Sequence, residues 1–303
     1  MRIAIVSYRS NSRAFAEEEI ALLREARSRG YVARILRARN FQLVYDKKMP
    51  WLLYNGKPMG QYDVIIPRVS VVNNVDFHLS LVKQMEMAGY LVINKSESIM
   101  TAKNKMATVQ VLDEVGIPMP KTIVVRRQED LDQAVKLIHG FPLITKRPVG
   151  SFGNGVTIVE SMRNLKSLLD WEQPMYLLQE YVKYSKGKDL RIFVVNGKVV
   201  ASMMRSAKKG EFRANIELGA VGVKIDATPE EEQIALRAVQ AVGLHYAGVD
   251  IMRSKTGPLV LEVNSNPGFK KLEVATQTNV SKEIIDYAVE LSQKHRGFAP
   301  AEA

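Results

Sequence analysis

The chain has 303 residues, a length that corresponds to about two domains. Hydrophobic residues make up 46% and charged residues 25%, an ordinary globular composition that argues against disorder and against collagen. The 43 Lys and Arg exceed the 32 Asp and Glu, and the net charge of +11 suits an anionic partner: a nucleotide, an acidic peptide, nucleic acid or a membrane surface. The alternative interpretation is a basic surface that is merely solvated.

Composition also excludes several kinds of chemistry. Without cysteine, the chain has no disulfide, no thiolate nucleophile and no thiolate metal site. The four histidines show no HExxH or paired spacing, so zinc catalysis is not expected. No apolar run approaches the roughly 18–20 residues of a membrane span, and the first residues do not resemble a signal peptide. We therefore expect a soluble, cytoplasmic protein without a membrane partner.

The first third of the chain alternates strand and helix patterns. An apolar run at 2–6 predicts a buried strand, and the helical pattern after it ends at Gly30. A second strand pattern follows, and this β-α-β order favours a parallel sheet covered by helices. No GxGxxG follows the first strand, so nothing supports a dinucleotide site there. The predicted elements are strands at 2–6, 31–36, 64–66 and 90–93 and helices at 15–29 and 76–89.

Two hairpins are predicted in the second half of the chain. Asn196-Gly197 separates strands at 191–195 and 198–204 and accepts the positive φ angles of a tight turn. A second hairpin joins 248–253 to 258–264.

The other predicted elements follow from capping and periodicity. Thr228-Pro229-Glu230-Glu231 has the pattern of a capping box, so a helix begins there and ends at 242, before Gly243. The remaining predictions are helices at 96–115, 130–139 and 281–295 and strands at 122–125, 143–146 and 176–182.

A glycine-rich segment follows the predicted strand that ends at Lys146. Gly150, Gly153 and Gly155, with Ser151 among them, let backbone N–H groups turn toward an anion without a Cβ in the way. The lysine would add positive charge for the same phosphates. The segment is not a Walker A loop, because the lysine precedes the glycines. The alternative interpretation is a glycine-rich hairpin turn.

A pair of carboxylates lies in the second hairpin. We take Arg253 to pair with Leu259 across it. That register places Asp250 opposite Glu262, with Asn264 two residues further on the same face. The two carboxylates repel each other, and a divalent cation would remove the conflict, since an all-oxygen set suits Mg²⁺ completed by phosphates and water. The alternative is a solvent-facing acidic pair that Lys or Arg neutralises.

Further residues suit the same nucleotide. The segment Gln179-Glu180-Tyr181-Val182 can lay backbone groups along an adenine edge, and Asp189 can accept hydrogen bonds from ribose hydroxyls. Arg213 and Asn215 lie in a basic loop that can cover phosphates, and Lys105 can supply another positive charge. Each of these residues alone is more often an ordinary surface or strand residue, so the interpretation depends on their joint order.

In that order the motifs resemble those of the ATP-grasp superfamily and, within it, of the RimK-type amino-acid ligases. The resemblance extends from the first strand to about residue 295. The motifs that carry it are Lys105; Lys146 with Gly150, Gly153, Gly155 and Val156; Leu178-Gln179-Glu180-Tyr181-Val182; Asp189-Leu190-Arg191; Gly210-Glu211-Phe212-Arg213-Ala214-Asn215; Ala247-Gly248-Val249-Asp250; and Leu261-Glu262-Val263-Asn264-Ser265-Asn266-Pro267-Gly268.

The resemblance implies a mixed α/β and α+β ATP-grasp fold with ATP between its last two domains. The fold would have three domains: a Rossmann-like pre-ATP-grasp domain at 1–96, a lid at 97–183 and a C-terminal domain with the metal site at 184–303. The residues implied to bind the nucleotide are Lys105, Lys146, Gly150, Ser151, Gly153, Gly155, Glu180, Tyr181, Val182, Asp189, Arg213 and Asn215, and those implied to bind two Mg²⁺ or Mn²⁺ ions are Asp250, Glu262 and Asn264.

The resemblance also implies an activity, because members of this family join an amino acid, often glutamate, to a carboxylate. We predict an ATP-dependent carboxylate–amine ligase that works through an acyl-phosphate, with Arg191, Arg205 and Arg213 as catalytic cations. The expected acceptor is the C-terminus of an acidic peptide or of a ribosomal protein, and the alternative acceptor is a small-molecule or cofactor acid. A non-catalytic nucleic-acid-binding protein is the alternative from another class. A homo-oligomer is compatible with the sequence.

Several positions depart from the RimK pattern. Ser70 stands where glycine is common, Ala220 where the second glycine of a Gly-Gly pair is usual, and Lys270-Lys271 in a stretch that normally includes glycine. All lie near the expected acceptor region, so they bear on substrate choice more than on the use of ATP.

Overall fold

The computed structural model describes residues 1–9, 14–46, 51–69, 75–148, 155–169, 175–215 and 218–297. Within these ranges the strands form three-, four-, five- and three-stranded sheets. None of the helices described combines the length and apolarity that crossing a bilayer requires.

The N-terminal part is a parallel sheet, as the β-α-β pattern predicts. Strand β1 (Arg2–Ser7) lies between β2 (Val32–Arg37) and β6 (Val64–Arg68). Helix α1 (Glu17–Ser28) connects the first two strands, and α2 (Val75–Met87) follows the third. Because the strands are parallel, their carboxyl ends share one edge of the sheet, which is where such folds place ligands.

This part differs from the prediction in two places. Tyr90–Ile93 forms no regular strand, since Val92 makes only an isolated bridge to Ile65. A small antiparallel sheet was not predicted, because its strands are too short to show a period. They are β3 (Phe41–Leu43), β4 (Leu52–Tyr54) and β5 (Lys57–Pro58).

The single helix predicted at 96–115 is wrong, because the structure has two helices there. They are α3 (Ser96–Lys103) and α4 (Lys105–Glu114), and Asn104 between them has an extended backbone, with φ −101° and ψ 108°. The Asn104 side chain accepts hydrogen bonds from the amides of Met106 and Ala107 and so caps α4. The break places Lys105 in the first turn of a new helix.

The central part is a four-stranded antiparallel sheet. Its strands in spatial order are β7 (Thr122–Val125), β10 (Tyr176–Glu180), β8 (Leu143–Lys146) and β9 (Val156–Val159). Helices α5 (Leu131–Leu137) and α6 (Met162–Leu168) contribute Leu131 and Leu165 to its core. Neither β9 nor α6 was predicted.

The C-terminal part is a five-stranded antiparallel sheet. In spatial order it contains β13 (Val221–Lys224), β12 (Lys198–Ser206), β11 (Lys188–Val195), β14 (Tyr246–Ser254) and β15 (Gly257–Asn264). Both predicted hairpins are present. Asn196 and Gly197 have φ angles of 50° and 67°, as the tight turn between β11 and β12 requires.

Three helices cover this sheet. The predicted capping box begins α7 (Pro229–Val242): Thr228 Oγ1 accepts from the Glu231 amide, and the Glu231 carboxylate accepts from the Thr228 amide. Helices α8 (Lys270–Thr276) and α9 (Val280–Gly297) follow β15. Of these, α8 was not predicted.

The N-terminal and C-terminal sheets share one hydrophobic core, which includes Ile3, Phe193 and Phe269. Buried Asn94 joins them further: its amide nitrogen donates to the carbonyls of Tyr246 and Ser265. These contacts fix the carboxyl edge of the N-terminal sheet against the end of β15. The predicted domain boundaries stay a prediction, although Ala102 and Leu112 pack in the core of the C-terminal sheet.

Candidate active site

A cleft of about 450 Å³ lies where the N-terminal parallel sheet, the central sheet and the C-terminal sheet meet. It is lined by every predicted site residue that the structure describes except Gly155, which is a turn residue with φ 76°. The predicted residues Gly150, Ser151 and Gly153 lie outside the described residues. The predicted residues that line the cleft are Lys105, Lys146, Glu180, Tyr181, Val182, Asp189, Arg191, Arg205, Arg213, Asn215, Asp250, Glu262 and Asn264.

Lys146 ends β8 and faces this cleft. Burial lowers the pKa of its amine to about 8, and Lys105 adds to the shift while negative Glu262 opposes it. Lys146 forms no salt bridge with any described acidic residue. A half-buried cation without a carboxylate partner is costly unless a ligand supplies the negative charge, so Lys146 suits an anionic group such as a phosphate.

Lys103 also lines the cleft and was missed in the sequence. Burial lowers the pKa of its amine to about 8, and Arg68 and Lys105 are among the nearby charges that contribute. In one continuous helix, residues 103 and 105 would be about 200° apart around the axis. The break at Asn104 removes that constraint and lets both lysines face the cleft.

In the hairpin of β14 and β15, Asp250 lies opposite Glu262 as predicted, but the strands pair in a different register. Arg253 pairs with Pro258 rather than with Leu259, so the predicted register is wrong by one residue. A bulge between Asp250 and Ile251 then shifts the ladder, and Asp250 lies opposite Glu262 as expected.

The carboxylate of Asp250 is bound by two arginines. Arg191 donates to both of its oxygens, with 2.9 Å from Nη2 to Oδ2, and Arg205 Nη2 lies 3.0 Å from Oδ1. The Asn264 amide adds a 3.3 Å hydrogen bond to Oδ2. Burial alone would raise the pKa of Asp250, but the two arginines outweigh it and lower the pKa. Arginine thus neutralises the Asp250 carboxylate in this structure, and the role of Asp250 as a metal ligand stays a prediction.

Two of the arginines that line the cleft, Arg205 and Arg213, are also paired with acidic residues. Arg205 donates to both oxygens of Asp189, at 2.5 and 2.7 Å. Burial alone would lower the pKa of Arg205, but Asp250 and Asp189 raise it further than burial lowers it. Arg213 donates to Glu211 at 2.7 Å. Each arginine predicted to be catalytic is thus held in place by an acidic residue.

Glycine 248 is required beneath this cluster. A Cβ at Gly248 would lie 2.7 Å from Arg191 Nη1 and 2.9 Å from Pro267 Cβ. The glycine therefore permits the close approach of the Arg191 guanidinium to β14.

Whether the cleft can hold a metal ion depends on the side-chain oxygens that are not already bound by arginine. The described residues contain no group of three His, Cys, Asp or Glu that could hold an ion. Glu262 and Asn264 still offer a carboxylate and an amide oxygen, and Mg²⁺ is commonly held by one or two such ligands with phosphates and water. These two residues fit Mg²⁺. The Asp250 oxygens, already bound by four donor groups, fit it only if an arginine contact loosens.

Several other cleft residues were not predicted. Of these, Arg68 could have been found from the sequence, because it is the last residue of the parallel strand β6. The carboxyl ends of parallel strands are where such folds bind ligands. The others lie in loops and helix ends whose packing the sequence does not show. They are Arg9, Glu18, Glu19, Lys186, Phe212, Asn266 and Lys271.

Comparison with family profiles decides the class. The profile of the RimK-like ATP-grasp domain matches residues 102–288, and that of the RimK pre-ATP-grasp domain matches residues 1–99. The chain belongs to the RimK family of ATP-grasp ligases. The recognition and the fold class predicted from the sequence are both confirmed, and so is the assignment as a C–N bond-forming ligase.

Individual proteins agree with this. The chain is 38% identical over 270 residues to a probable alpha-L-glutamate ligase 1 of Shewanella sp. strain MR-4, covering 88% of this chain and 89% of the relative. It is 36% identical over 299 residues to a probable alpha-L-glutamate ligase of Pseudomonas savastanoi pv. phaseolicola, covering 97% of each.

The fold is shared with more distant solved structures. The ATP-grasp ligase PsnB complexed with minimal precursor matches with a TM-score of 0.75 at 16% identity, covering 95% of this chain and 98% of that one. PsnB complexed with a phosphomimetic variant of its minimal precursor, Mg and ADP matches with a TM-score of 0.74, also at 16% identity, covering 96% of this chain and 98% of that one. The second of these PsnB structures thus holds Mg and ADP.

Proposed function

We propose that this RimK-family ligase adds L-glutamate, through an acyl-phosphate, to the C-terminal carboxylate of an acidic peptide or of a ribosomal protein. One observation carries the proposal: unpaired Lys146 and the oxygen donors Glu262 and Asn264 face the same cleft. A cation for phosphates and a ligand pair for Mg²⁺ are what ATP requires. The glutamate assignment is supported by the relatives, which are named as glutamate ligases.

The proposed reaction has two steps. An oxygen of the acceptor carboxylate attacks the γ-phosphorus of ATP, and ADP leaves. The amine of glutamate then attacks the acyl carbon, an amide forms, and inorganic phosphate leaves after the amine loses a proton. Mg²⁺, when bound, neutralises phosphate charge, and the protein contributes mainly position and electrostatics.

Each proposed binding residue has a place in this scheme. Lys146 and Lys105 bind the phosphates, and Glu262 and Asn264 bind Mg²⁺. Glu180 at the end of β10 and the following Tyr181 and Val182 flank the adenine. We keep Mn²⁺ and a second ion as parts of the proposal, and a second ion would need Asp250 to give up one arginine contact.

The arginine cluster has a different part. Asp250 and Asp189 fix the guanidinium planes of Arg191 and Arg205, so these cations are already oriented before substrate arrives. We propose that they stabilise the charge on the transferring phosphoryl group. Asp189 is proposed to accept from the ribose, and this would require it to share its oxygens with Arg205.

An acidic acceptor is favoured over a neutral one by charge. The net charge of +11 and the presence of Lys186 and Lys271 at the cleft attract anions. Lys271 belongs to the stretch after Gly268 in which the RimK pattern normally includes glycine, so its charge is proposed to bear on the acceptor. A small-molecule acid remains the alternative acceptor.

Mass spectrometry tests the proposal directly. The purified enzyme is incubated with ATP, Mg²⁺ and labelled L-glutamate and with two acceptor sets, acidic peptides ending in a free carboxylate and small acids. We expect glutamate-sized mass additions on peptides in the wild type and none in Glu262→Gln. Exposed Lys198→Met, on the hairpin outside the cleft, is the matched control and should retain activity. Additions confined to small acids would overturn the peptide acceptor, and no ATP-dependent addition to any acid would overturn the ligase.

A further inference from the structure

Arg68 is a buried cation that none of the roles above uses. It is the last residue of β6, at the carboxyl edge of the N-terminal parallel sheet, and it is only 6% exposed. It nevertheless lines the cleft. Arg68 is thus one of several charged residues, with Arg9, Glu18 and Glu19, that the N-terminal part of the molecule contributes to the cleft.

The partners of Arg68 leave part of its guanidinium unused. Nη2 donates to the carbonyl oxygen of Pro267 at 2.9 Å, and the guanidinium lies 5.5 Å from the centre of the Phe269 ring. Nη1 is buried and has no hydrogen-bond partner among the described residues. No described acidic residue forms a salt bridge with Arg68, in contrast to Arg191 and Arg205.

An unpaired guanidinium edge of this kind has a specific complement. A buried, charged donor without a partner carries a large desolvation cost, which a bound anion removes. The planar fork of arginine matches a carboxylate closely, with two parallel hydrogen bonds where both nitrogens are available. Here Nη2 is held by the Pro267 carbonyl, and Nη1 is the nitrogen left for a further acceptor.

The position of Arg68 identifies which carboxylate. Pro267 lies three residues beyond Asn264, on the loop that leaves β15 directly after the proposed Mg²⁺ ligands. Lys103 lines the same cleft as Arg68 and Glu262, and the charges of both act on the pKa of its amine. Arg68 is therefore next to the phosphate-binding residues and belongs to a different sheet from the residues that flank the adenine.

We propose that Arg68 binds the α-carboxylate of the amino acid that supplies the amine. This proposal rests on the ligase function proposed above. The α-carboxylate does not react, so a fixed contact to it orients the neighbouring amine toward the acyl-phosphate without taking part in bond formation. The carboxylate of the acceptor, in contrast, must reach the γ-phosphate and is served by Lys146 and the arginine cluster.

The test compares Arg68→Met with Arg68→Lys and with a matched control. Arg237→Met removes an arginine that also donates to a main-chain carbonyl, that of Val115, but that is exposed and outside the cleft. For each protein we measure the KM for L-glutamate, the KM for the acceptor, and the dissociation constant of ATP without amino acid. Isoglutamine, in which the α-carboxylate is an amide, is compared with L-glutamate as the amine donor.

For Arg68→Met we expect the KM for L-glutamate to rise about tenfold or more. The ATP dissociation constant and the acceptor KM should stay within twofold of the wild type. The wild type should discriminate against isoglutamine, and the variant should lose that discrimination. Arg68→Lys should recover part of the affinity, and Arg237→Met should behave as the wild type.

Three results would overturn the proposal. Weaker ATP binding with an unchanged glutamate KM would make Arg68 a phosphate ligand, and a raised acceptor KM would assign it to the other substrate. Unchanged constants together with a lower unfolding midpoint would leave it a structural role only. A wild-type enzyme that makes no amide would instead refute the proposed function, and L-glutamate binding to the ATP-loaded protein by calorimetry would still test Arg68 by itself.

Discussion

Two groups of buried or half-buried cations face the same cleft, and only one of them is paired with described acidic residues. Arg191 and Arg205 on the C-terminal sheet are bound by Asp250 and Asp189 through several hydrogen bonds. Lys103, Lys146 and Arg68 form no salt bridge with any described residue and are called here the unpaired cations. The paired group is complete without a ligand, whereas the unpaired cations require one.

The two groups of cations are expected to differ in function: the paired group should stabilise the fold, and the unpaired cations should bind substrate. Removing a member of a buried pair leaves an uncompensated charge in the protein, so the paired group should matter for folding. Removing an unpaired cation deletes a charge that costs free energy in the absence of ligand, so that group should matter for activity alone. The following variants test this contrast.

The largest effect is expected for Arg205→Met. This variant leaves the carboxylates of Asp189 and Asp250 short of partners in a buried site, and the free energy of unfolding should fall by about 3–5 kcal/mol. Urea denaturation followed by circular dichroism measures it. Arg127→Met is the control, because its pair with Asp130 is at the surface and should contribute little. Equal midpoints for the Arg205 variant and the wild type would contradict the paired interpretation.

Lys146→Met should have the opposite effects, with a large loss of activity and no loss of stability. We expect kcat/KM to fall about 100-fold or more, since a preorganised charge at the phosphates is lost. The free energy of unfolding should be unchanged or slightly higher, because a buried, unpaired amine is gone. ADP release with glutamate and acceptor gives the first quantity and denaturation the second. A variant that is active but unstable would reverse the assignment of the two groups.

Gly248→Ala tests whether catalysis depends on the position of the Arg191 guanidinium, a member of the paired group. The new Cβ would contact Arg191 Nη1 and Pro267 Cβ at distances that no real Cβ shows, so the guanidinium or the loop must move. We expect kcat to fall about tenfold, as misplacement of a charged group does. Gly60→Ala is the control, because the nearest atom to its Cβ is 3.9 Å away. Normal kcat in the Gly248 variant would show that the position of Arg191 is not critical.

The smallest effect concerns an ion pair outside the cleft, Glu231 with Arg253. Burial raises the pKa of Glu231, but hydrogen bonds from Arg253 and from the Thr228 amide outweigh it, so the folded pKa lies below the unfolded value of about 4.3. The stabilisation is therefore present above that unfolded value and is lost as pH falls through the folded pKa. Glu231→Gln should cost about 1 kcal/mol of unfolding free energy at pH 7 and progressively less below pH 4. A pH-independent difference would rule out the carboxylate charge as its cause.

Regular elements with local signals were predictable from the sequence. The parallel β-α-β start follows from apolar runs and Gly30, and the turn at Asn196-Gly197 and the cap at Thr228 are coded by two to four adjacent residues. Such features depend on neighbours in the chain, so the pattern alone determines them.

Features that depend on tertiary packing were not predictable. The break at Asn104 interrupts a pattern that is otherwise helical, and the bulge in the acidic hairpin leaves no mark in the alternation of its strands. Two errors there cancelled, so Asp250 and Glu262 were paired correctly through a wrong register. The pairing of Asp250 with Arg191 and Arg205 was not predicted, because these arginines come from two other strands.

Arg68 was missed for the same reason. Only its place at the edge of a parallel sheet marks it in the sequence, whereas its burial beside Pro267 and Phe269 arises from a contact between parts of the chain about 200 residues apart.

The most direct test of the central claim is a crystal structure with a non-hydrolysable ATP analogue and Mg²⁺. We predict Lys146 Nζ within hydrogen-bond distance of a phosphate oxygen, and an ion about 2.1 Å from oxygens of Glu262 and Asn264. The same structure shows whether Asp250 keeps both arginine contacts. A nucleotide bound elsewhere, with Lys146 and Glu262 facing solvent, would contradict the account.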